Sequence, residues 1–256
     1  MQTDLLKFRK SERGSVMSQN KPVYRRVLLK VSGEALSGGK GTGLDFKVMK
    51  EVCLSVKNCT DMGVQVGIVV GGGNFWRGVK NGEGKMDRTR ADRMGMLATV
   101  MNALALSDVF GQNDVDARVM TAVPMPAFAE TFNKEAAVRH LEEGRVVIFA
   151  AGSGNPYFTT DTAGVLRALE IDAEAILLAK NIDGVYSADP NKDPSAVKYD
   201  TITYDEMLAQ HLAVMDTAAT SIAMENDLPI EVFALKDTEN IKKVILGEKI
   251  GTSVTK

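Results

Sequence analysis

Val66-Gly67-Ile68-Val69-Val70-Gly71-Gly72-Gly73-Asn74-Phe75-Trp76-Arg77-Gly78 is the stretch from which the rest of the chain can be read. Its first residues form a short apolar run rich in β-branched side chains, the signature of a buried strand. The run breaks into three consecutive glycines. Glycine has no Cβ, so it permits positive φ and lets backbone come close to a ligand. Successive N–H groups in such a turn can form a concave anion site. Arg77, four residues after the last glycine, carries a permanent charge on a planar donor fork. Strand, turn and arginine suggest phosphate binding, and they equally suit a tight turn beside a surface arginine.

Two better-known glycine patterns fail. A P-loop needs G-x-x-x-x-G-K-[ST], but Lys40 is followed by Gly41. A dinucleotide loop needs G-x-G-x-x-G, and Trp76 stands where its third glycine belongs. Upstream, Arg25 to Val31 reads as a first strand carrying Lys30 near its end, followed by Ser32-Gly33. A lysine there suits phosphate as a point charge, or marks an edge strand.

Outward from these two turns, strands alternate with helices. Strands are expected over 116–123, 145–151, 174–179 and 229–235, with a last edge strand over 251–254. Helices are expected over 45–62, 90–110, 134–143, from Asp161 onward, 204–210, up to Glu225 and over 237–246. Asp45 reads as an N-cap and Gly63 as a stop. Asp92 is expected in the first turn of the helix over 90–110, where the dipole favours a carboxylate. The alternation predicts an α/β fold with a mostly parallel sheet covered by helices on both faces, as two lobes on one sheet over residues 21–256. Ligands then sit beyond the carboxyl ends of the strands. Lys30, Gly71 to Gly73, Gly152 to Thr160 and Lys180 all fall at such ends.

The bulk numbers exclude several classes. The chain has 256 residues, 45% hydrophobic and 25% charged, which is ordinary globular composition. A formal net charge of −2 argues against a coat for nucleic acid. No apolar run approaches the roughly 20 residues of a membrane span. Residues 1–20 are polar and charged without an apolar signal region, so a disordered tail is expected, with Met17 as an alternative start. Residues 78–88 read as a flexible glycine-rich loop. Cys53 and Cys59 have neither redox nor metal spacing and read as core thiols of a reducing compartment. His140 and His211 are too few for a metal site and read as incidental.

Five segments, KVSGEAL (30–36), VVGGGNFWRG (69–78), DRMGMLATVMN (92–102), AGSGNPYFTTD (151–161) and DGVYSADP (183–190), together resemble the bacterial uridylate kinases of the amino acid kinase fold family. The resemblance runs from about Pro22 to the C-terminus in the family's order and spacing. It implies transfer of a phosphoryl group from ATP to UMP in pyrimidine nucleotide biosynthesis, in the cytoplasm, with Mg²⁺ carried mainly by phosphates and no dedicated metal ligands. Lys30, Ser32, Gly33, Gly73 and Arg77 would meet ATP phosphates, and Lys180, Asn181, Tyr186 and Asp189 the adenosine. Lys180-Asn181 departs from one common form of the family, which leaves open which of the two meets adenine. Gly72, Asp92, Ser153, Gly154, Asn155, Pro156, Tyr157, Phe158, Thr159 and Thr160 would hold UMP, Asp92 through the ribose hydroxyls. Ser153 stands where the family often has threonine. Lys30, Arg77 and Asp161 would be catalytic, and Asp216, in a VMD segment, catalytic or structural. Gly38, Gly43, Arg118 and Arg145 resemble positions tied to GTP activation; UTP inhibition and a homohexamer follow from the same likeness, with helix 94–106 as a candidate interface or plain core. No membrane or nucleic acid is implied. Two rivals remain on this fold: a kinase for a small carboxylate such as aspartate or carbamate, and a binding protein without catalysis. An acid in the pocket at Asp92 would serve a carboxylate substrate poorly, and the presence of Lys30 and Arg77 disfavours the second.

Overall fold

A computed structural model of the chain describes residues 21–77, 85–212 and 214–256. The tail expected over 1–20 lies outside these residues, as does most of the loop expected over 78–88. Strand β1 (Arg26–Val31) leads through the short helix α1 (Gly33–Leu36) to α2 (Phe46–Asp61), then β2 (Gln65–Val70) and the long α3 (Arg88–Gly111). There follow β3 (Ala117–Thr121), β4 (Glu130–Thr131), α4 (Lys134–Glu142), β5 (Val146–Ala150), α5 (Thr160–Glu170) and β6 (Ala175–Lys180). The last part holds β7 (Val185–Tyr186), β8 (Lys198–Tyr199), β9 (Thr201–Thr203), α6 (Tyr204–Ala209), α7 (Thr217–Glu225), β10 (Ile230–Ala234), α8 (Glu239–Ile245) and β11 (Thr252–Thr255).

Nine strands form one sheet in the order β4-β3-β5-β2-β1-β6-β10-β11-β9, and β7 pairs with β8 separately. Every pairing in the large sheet is parallel except β10 with β11. The expected architecture is therefore present, with one correction. Residues 252–255 are not an edge: β11 lies between β10 and β9, and β9 is the edge. The exposed-looking composition of the final strand misleads because Val254 is buried by neighbours far away in sequence.

Side chains alternate across the sheet and separate two cores. Val27, Leu29 and Val31 of β1 pack with Met49, Val52 and Cys53 of α2, with Ala103 and Leu106 of α3 and with Ile241 of α8. Leu28 faces the other way, among Val165 of α5, Met207 of α6 and Ala223 of α7. Both cysteines lie in the first core, and burial pushes their thiols up to about 11 for Cys53 and about 12 for Cys59.

Local signals account for most helix ends. Asp45 caps α2 by accepting from the N–H groups of Lys47 and Val48, and Gly63 follows its end at φ 85°. Helix α3 begins earlier than its apolar pattern implies: Asp87 is the N-cap, so Asp92 stands in the second turn rather than the first. Among described residues α3 is the one helix long and apolar enough to cross a membrane. Here Ala98, Ala103, Leu106 and Phe110 enter the core, while Met94, Leu97, Met101 and Leu104 form an exposed apolar stripe.

The topology fixes where a ligand can sit. The chain leaves β1 toward β2 on one side and later returns to β6 on the other. The strand order reverses at β1, and in open α/β sheets that reversal opens a crevice beyond the carboxyl ends. Lys30 is the penultimate residue of that strand, so it occupies the centre of the sheet and not an edge.

Candidate active site

The two glycine turns meet at the carboxyl ends of β1 and β2. A Cβ on Gly33 would stand 2.4 Å from Asn74 Oδ1, 2.7 Å from the Gly71 carbonyl oxygen and 2.9 Å from the Gly73 nitrogen. A Cβ on Gly72 would stand 2.8 Å from the Gly95 carbonyl oxygen and 2.9 Å from Ala98 Cβ, both on α3. None of Gly71, Gly72 and Gly73 has positive φ. Gly71 and Gly72 are required by close approach of backbone to backbone, not by the left-handed conformation that three glycines suggest, while a Cβ on Gly73 would meet only side-chain atoms at 3.5 Å or more.

A buried amide pair with no local signature holds this junction. Asn74 Nδ2 donates to Asn102 Oδ1 at 2.9 Å, and Asn102 Nδ2 donates back to Asn74 Oδ1 at 2.7 Å. Asn102 also donates to the Gly71 carbonyl at 2.6 Å, and Asn74 to the Gly43 carbonyl at 2.8 Å. Such an amide must find partners when buried. Trp76, where a dinucleotide loop would have glycine, donates from Nε1 to the Ala91 carbonyl at 2.9 Å and ties the turn to the start of α3.

Charge gathers at the centre of the sheet. Lys30 Nζ lies 2.7 Å from Asp161 Oδ1, both largely buried. Asp161 sits in the first turn of α5, which Thr159 caps by accepting from the N–H groups of Asp161 and Thr162. Asp216 supports that end: it caps α7 through the Ala219 N–H and accepts from the hydroxyls of Thr159 and Thr162. Lys180, at the end of β6, donates to the Val214 carbonyl. Burial lowers its pKa first, opposed by Asp161 and reinforced by the neighbouring Lys30.

Two cavities lie in this region: Lys180 is on the wall of one and Thr160, next to Asp161, on the wall of the other, while Lys30 and Asp161 line neither. One, of about 550 Å³, is lined by Gly72, Gly73, Arg77, Asp92, Ser153, Asn155, Phe158, Thr159 and Thr160, with Glu34, Trp76, Arg88 and Thr99 added. Gly154, Pro156 and Tyr157 belong to the same loop but do not line it. Ala151, Gly152, Gly154 and Tyr157 all have positive φ, so the loop is wound tightly. Thr99 of α3 steadies it by accepting the Ala151 N–H at 2.8 Å. Asp92 Oδ2 accepts the Tyr157 N–H at 2.8 Å. The cation paired with Asp92 is Arg88. Arg77 pairs with Glu34, a residue of the KVSGEAL segment whose own role the sequence left unread.

The other cavity, of about 460 Å³, is lined by Lys180, Tyr186, Asp189, Val232 and others. Of the two alternatives for this region, Lys180 is on the wall and Asn181 is not. His211, expected to be incidental, is on the wall too. The Tyr186 hydroxyl donates to Asp183 at 2.8 Å. That bond holds Asp183 below the usual carboxylate range and raises Tyr186. Asp189 is held low by accepting the Asn191 N–H. Ser32 caps α1, its Oγ accepting the Ala35 N–H at 3.1 Å. Among described residues no group of three or more His, Cys, Asp or Glu forms a metal cage.

The four residues expected to form an effector site are not brought together within one protomer. Gly43 bonds Asn74 beyond the carboxyl end of β2, and Gly38 lies beside Asp45. Arg118 and Arg145 lie at the amino ends of β3 and β5, where both pair with Asp116. His140 is part of that network: it lies 3.0 Å from Glu130 and 3.1 Å from Arg145.

The amino acid kinase family profile matches residues 25–234. A UMP kinase of Bacillus anthracis is 38% identical, over 91% of this chain and 96% of that one, with a TM-score of 0.88. A UMP kinase of Ureaplasma parvum is 35% identical, over 91% and 99%, with a TM-score of 0.86. A uridylate kinase of Archaeoglobus fulgidus is 29% identical, over 90% and 99%, with a TM-score of 0.70.

Proposed function

The chain belongs to the amino acid kinase family, and from that premise we propose that it is a UMP kinase, moving the γ-phosphoryl group of ATP onto UMP to give ADP and UDP. The observation that carries the reading is the pair of cavities, one with Lys180 on its wall and the other with Arg77 and Thr160, together with the Lys30–Asp161 ion pair. The cavity with Asp92 and the 151–160 loop suits UMP, and the one with Tyr186 and Asp189 suits adenosine. This also fits two lobes on one sheet. Asp92 on the wall of the acceptor cavity disfavours a small carboxylate as substrate.

The reaction breaks the bond between the γ-phosphorus and the bridging oxygen of ATP and forms one to a UMP phosphate oxygen. That oxygen is nucleophilic near neutral pH, so no general base is needed. Catalysis is alignment and charge stabilisation of a loose transition state. Lys30 stabilises charge on the transferring group, and Asp161 aims the lysine. Arg77, paired with Glu34, would turn its planar fork to phosphate, which it can grip with two parallel hydrogen bonds. Lys180 adds a second cation at the seam, and Ser32, Gly33 and Gly73 approach the ATP phosphates. Mg²⁺ would enter on the ATP phosphates, which suits a site whose described residues build no carboxylate cage.

The exposed stripe Met94, Leu97, Met101 and Leu104 on α3 suits burial against a second copy, in line with a homo-oligomer such as a hexamer. GTP activation through Gly38, Gly43, Arg118 and Arg145 would need two protomers, because one chain holds them at opposite ends of its sheet. UTP inhibition would follow from its likeness to UMP and to the product UDP. A place in cytoplasmic pyrimidine nucleotide synthesis follows from the reaction. ADP release measured with UMP, CMP, aspartate and carbamate as acceptors tests the reading: UMP should dominate, and preference for a carboxylate would overturn it.

A further inference from the structure

Arg88 lines the acceptor cavity and makes three contacts there, none of which the reaction above uses. It is the first residue of α3, one turn before Asp92. Its Nε lies 2.9 Å from Asp92 Oδ1 and 2.8 Å from Oδ2, so one N–H is shared between both oxygens. Its guanidinium lies over the Tyr157 ring, 5.3 Å from the centroid. Tyr157, held at φ 70°, gives its own N–H to Asp92 Oδ2 at 2.8 Å. Helix α3 and the 151–158 loop are thus clasped at one carboxylate.

A carboxylate accepts about four hydrogen bonds. Two donors, the Arg88 N–H and the Tyr157 N–H, hold this one in the ligand-free protein. Arg88 takes one site on each oxygen and Tyr157 the second site on Oδ2, so one acceptor site remains, on Oδ1, open to a ribose hydroxyl. An unfixed carboxylate would rotate and lose rotamer entropy on binding, whereas a planar donor on both oxygens removes that freedom beforehand.

We propose that Arg88 is a positioning residue for the acceptor ribose, fixing the Asp92 carboxylate so that its open site on Oδ1 reads the 2′ hydroxyl. This rests on UMP being the acceptor and adds the residue that sets selection of ribose over deoxyribose. Steady-state kinetics with UMP, dUMP and ATP on wild type, Arg88→Ala and Arg88→Lys test it, with melting temperatures to confirm folding. In the alanine variant the KM for UMP should rise about tenfold, the size of one charge-assisted hydrogen bond. kcat and the KM for ATP should stay nearly unchanged, dUMP should lose less, and the preference for UMP over dUMP should narrow. Lysine, which restores charge without the planar fork, should recover part of that preference. Equal losses for UMP and dUMP would reduce Arg88 to a support of the loop and overturn the proposal, as would no change at all or no recovery with lysine. A wild type that phosphorylates dUMP and UMP equally also overturns it. A wild type inactive on both overturns the functional reading itself, a distinguishable result.

Discussion

Gly33→Ala should disable the enzyme by displacing one turn from another. The new Cβ would stand 2.4 Å from Asn74 Oδ1, where ordinary contact begins at 3.4 Å, so the turns must part by about 1 Å. Two further obstacles, the Gly71 oxygen at 2.7 Å and the Gly73 nitrogen at 2.9 Å, are backbone and cannot rotate away. The easiest escape moves Asn74 and breaks its reciprocal bonds with Asn102, which is fully buried. Overpacking of this kind costs about 1–3 kcal/mol, and an amide left unsatisfied costs about as much again. A net loss of roughly 2–6 kcal/mol lowers the melting temperature by roughly 4–24 °C in a domain of this size. The turn proposed to meet the phosphates moves by the same 1 Å, a misplacement that typically costs about 100-fold in rate. Thermal unfolding and steady-state kinetics should show both effects. Gly111→Ala is the control, because a Cβ there meets nothing within 4 Å and the residue ends a helix. A Gly33→Ala protein with kcat near the wild-type value and an unchanged melting temperature would refute the packing argument.

Four further outcomes are expected. Lys30→Ala should lower kcat on the order of 10²–10³-fold, with a much smaller change in the KM for UMP, because its charge matters most as the transferring group accumulates charge; an unchanged kcat in folded protein removes it from the mechanism. Asp92→Asn should raise the UMP Kd about ten- to hundredfold while sparing an ATP analogue and improving relative tolerance of dUMP, as read by calorimetric titration; equal weakening for all three ligands would assign Asp92 to the helix and its Arg88 pair alone. Asp216→Ala removes the cap of α7 and two threonine hydroxyl partners, so it should cost about 1–2 kcal/mol in denaturant unfolding and also lower kcat by loosening the α5 turn that carries Asp161. Cys59, whose thiol is pushed up to about 12 in the fold from about 8.5 when unfolded, binds its proton more tightly when folded. Its contribution is complete below pH about 8.5 and is lost as pH rises toward 12, so Cys59→Ala should show a smaller fall in melting temperature between pH 7 and pH 10.

Much of this protein is decided by short-range features of the sequence. The β-branched runs of β1 and β2, their alternation with amphipathic helices, and caps such as Asp45 depend on neighbours within a turn or two, so periodicity and side-chain chemistry suffice to place them. The glycine turns fall at the carboxyl ends of parallel strands for the same reason, and the five segments from KVSGEAL to DGVYSADP carry the family likeness. What needed the tertiary structure is whatever depends on which distant residues meet. Lys30 sits at the centre of the sheet because β6, nearly 150 residues later, returns beside β1. Residues 252–255 are internal because β9 pairs outside them. Gly71 and Gly72 are demanded by α1 and α3 pressing on the turn and not by backbone dihedrals. Asn102, lost in an apolar helix, is paired across 28 positions with Asn74. Asp92 has Arg88 and the Tyr157 N–H as partners, and sequence could not choose Arg88 over Arg90 and Arg93. Arg118 and Arg145 share Asp116 at the amino end of the sheet. Pairing across long separations is set by packing and topology, which no local window contains.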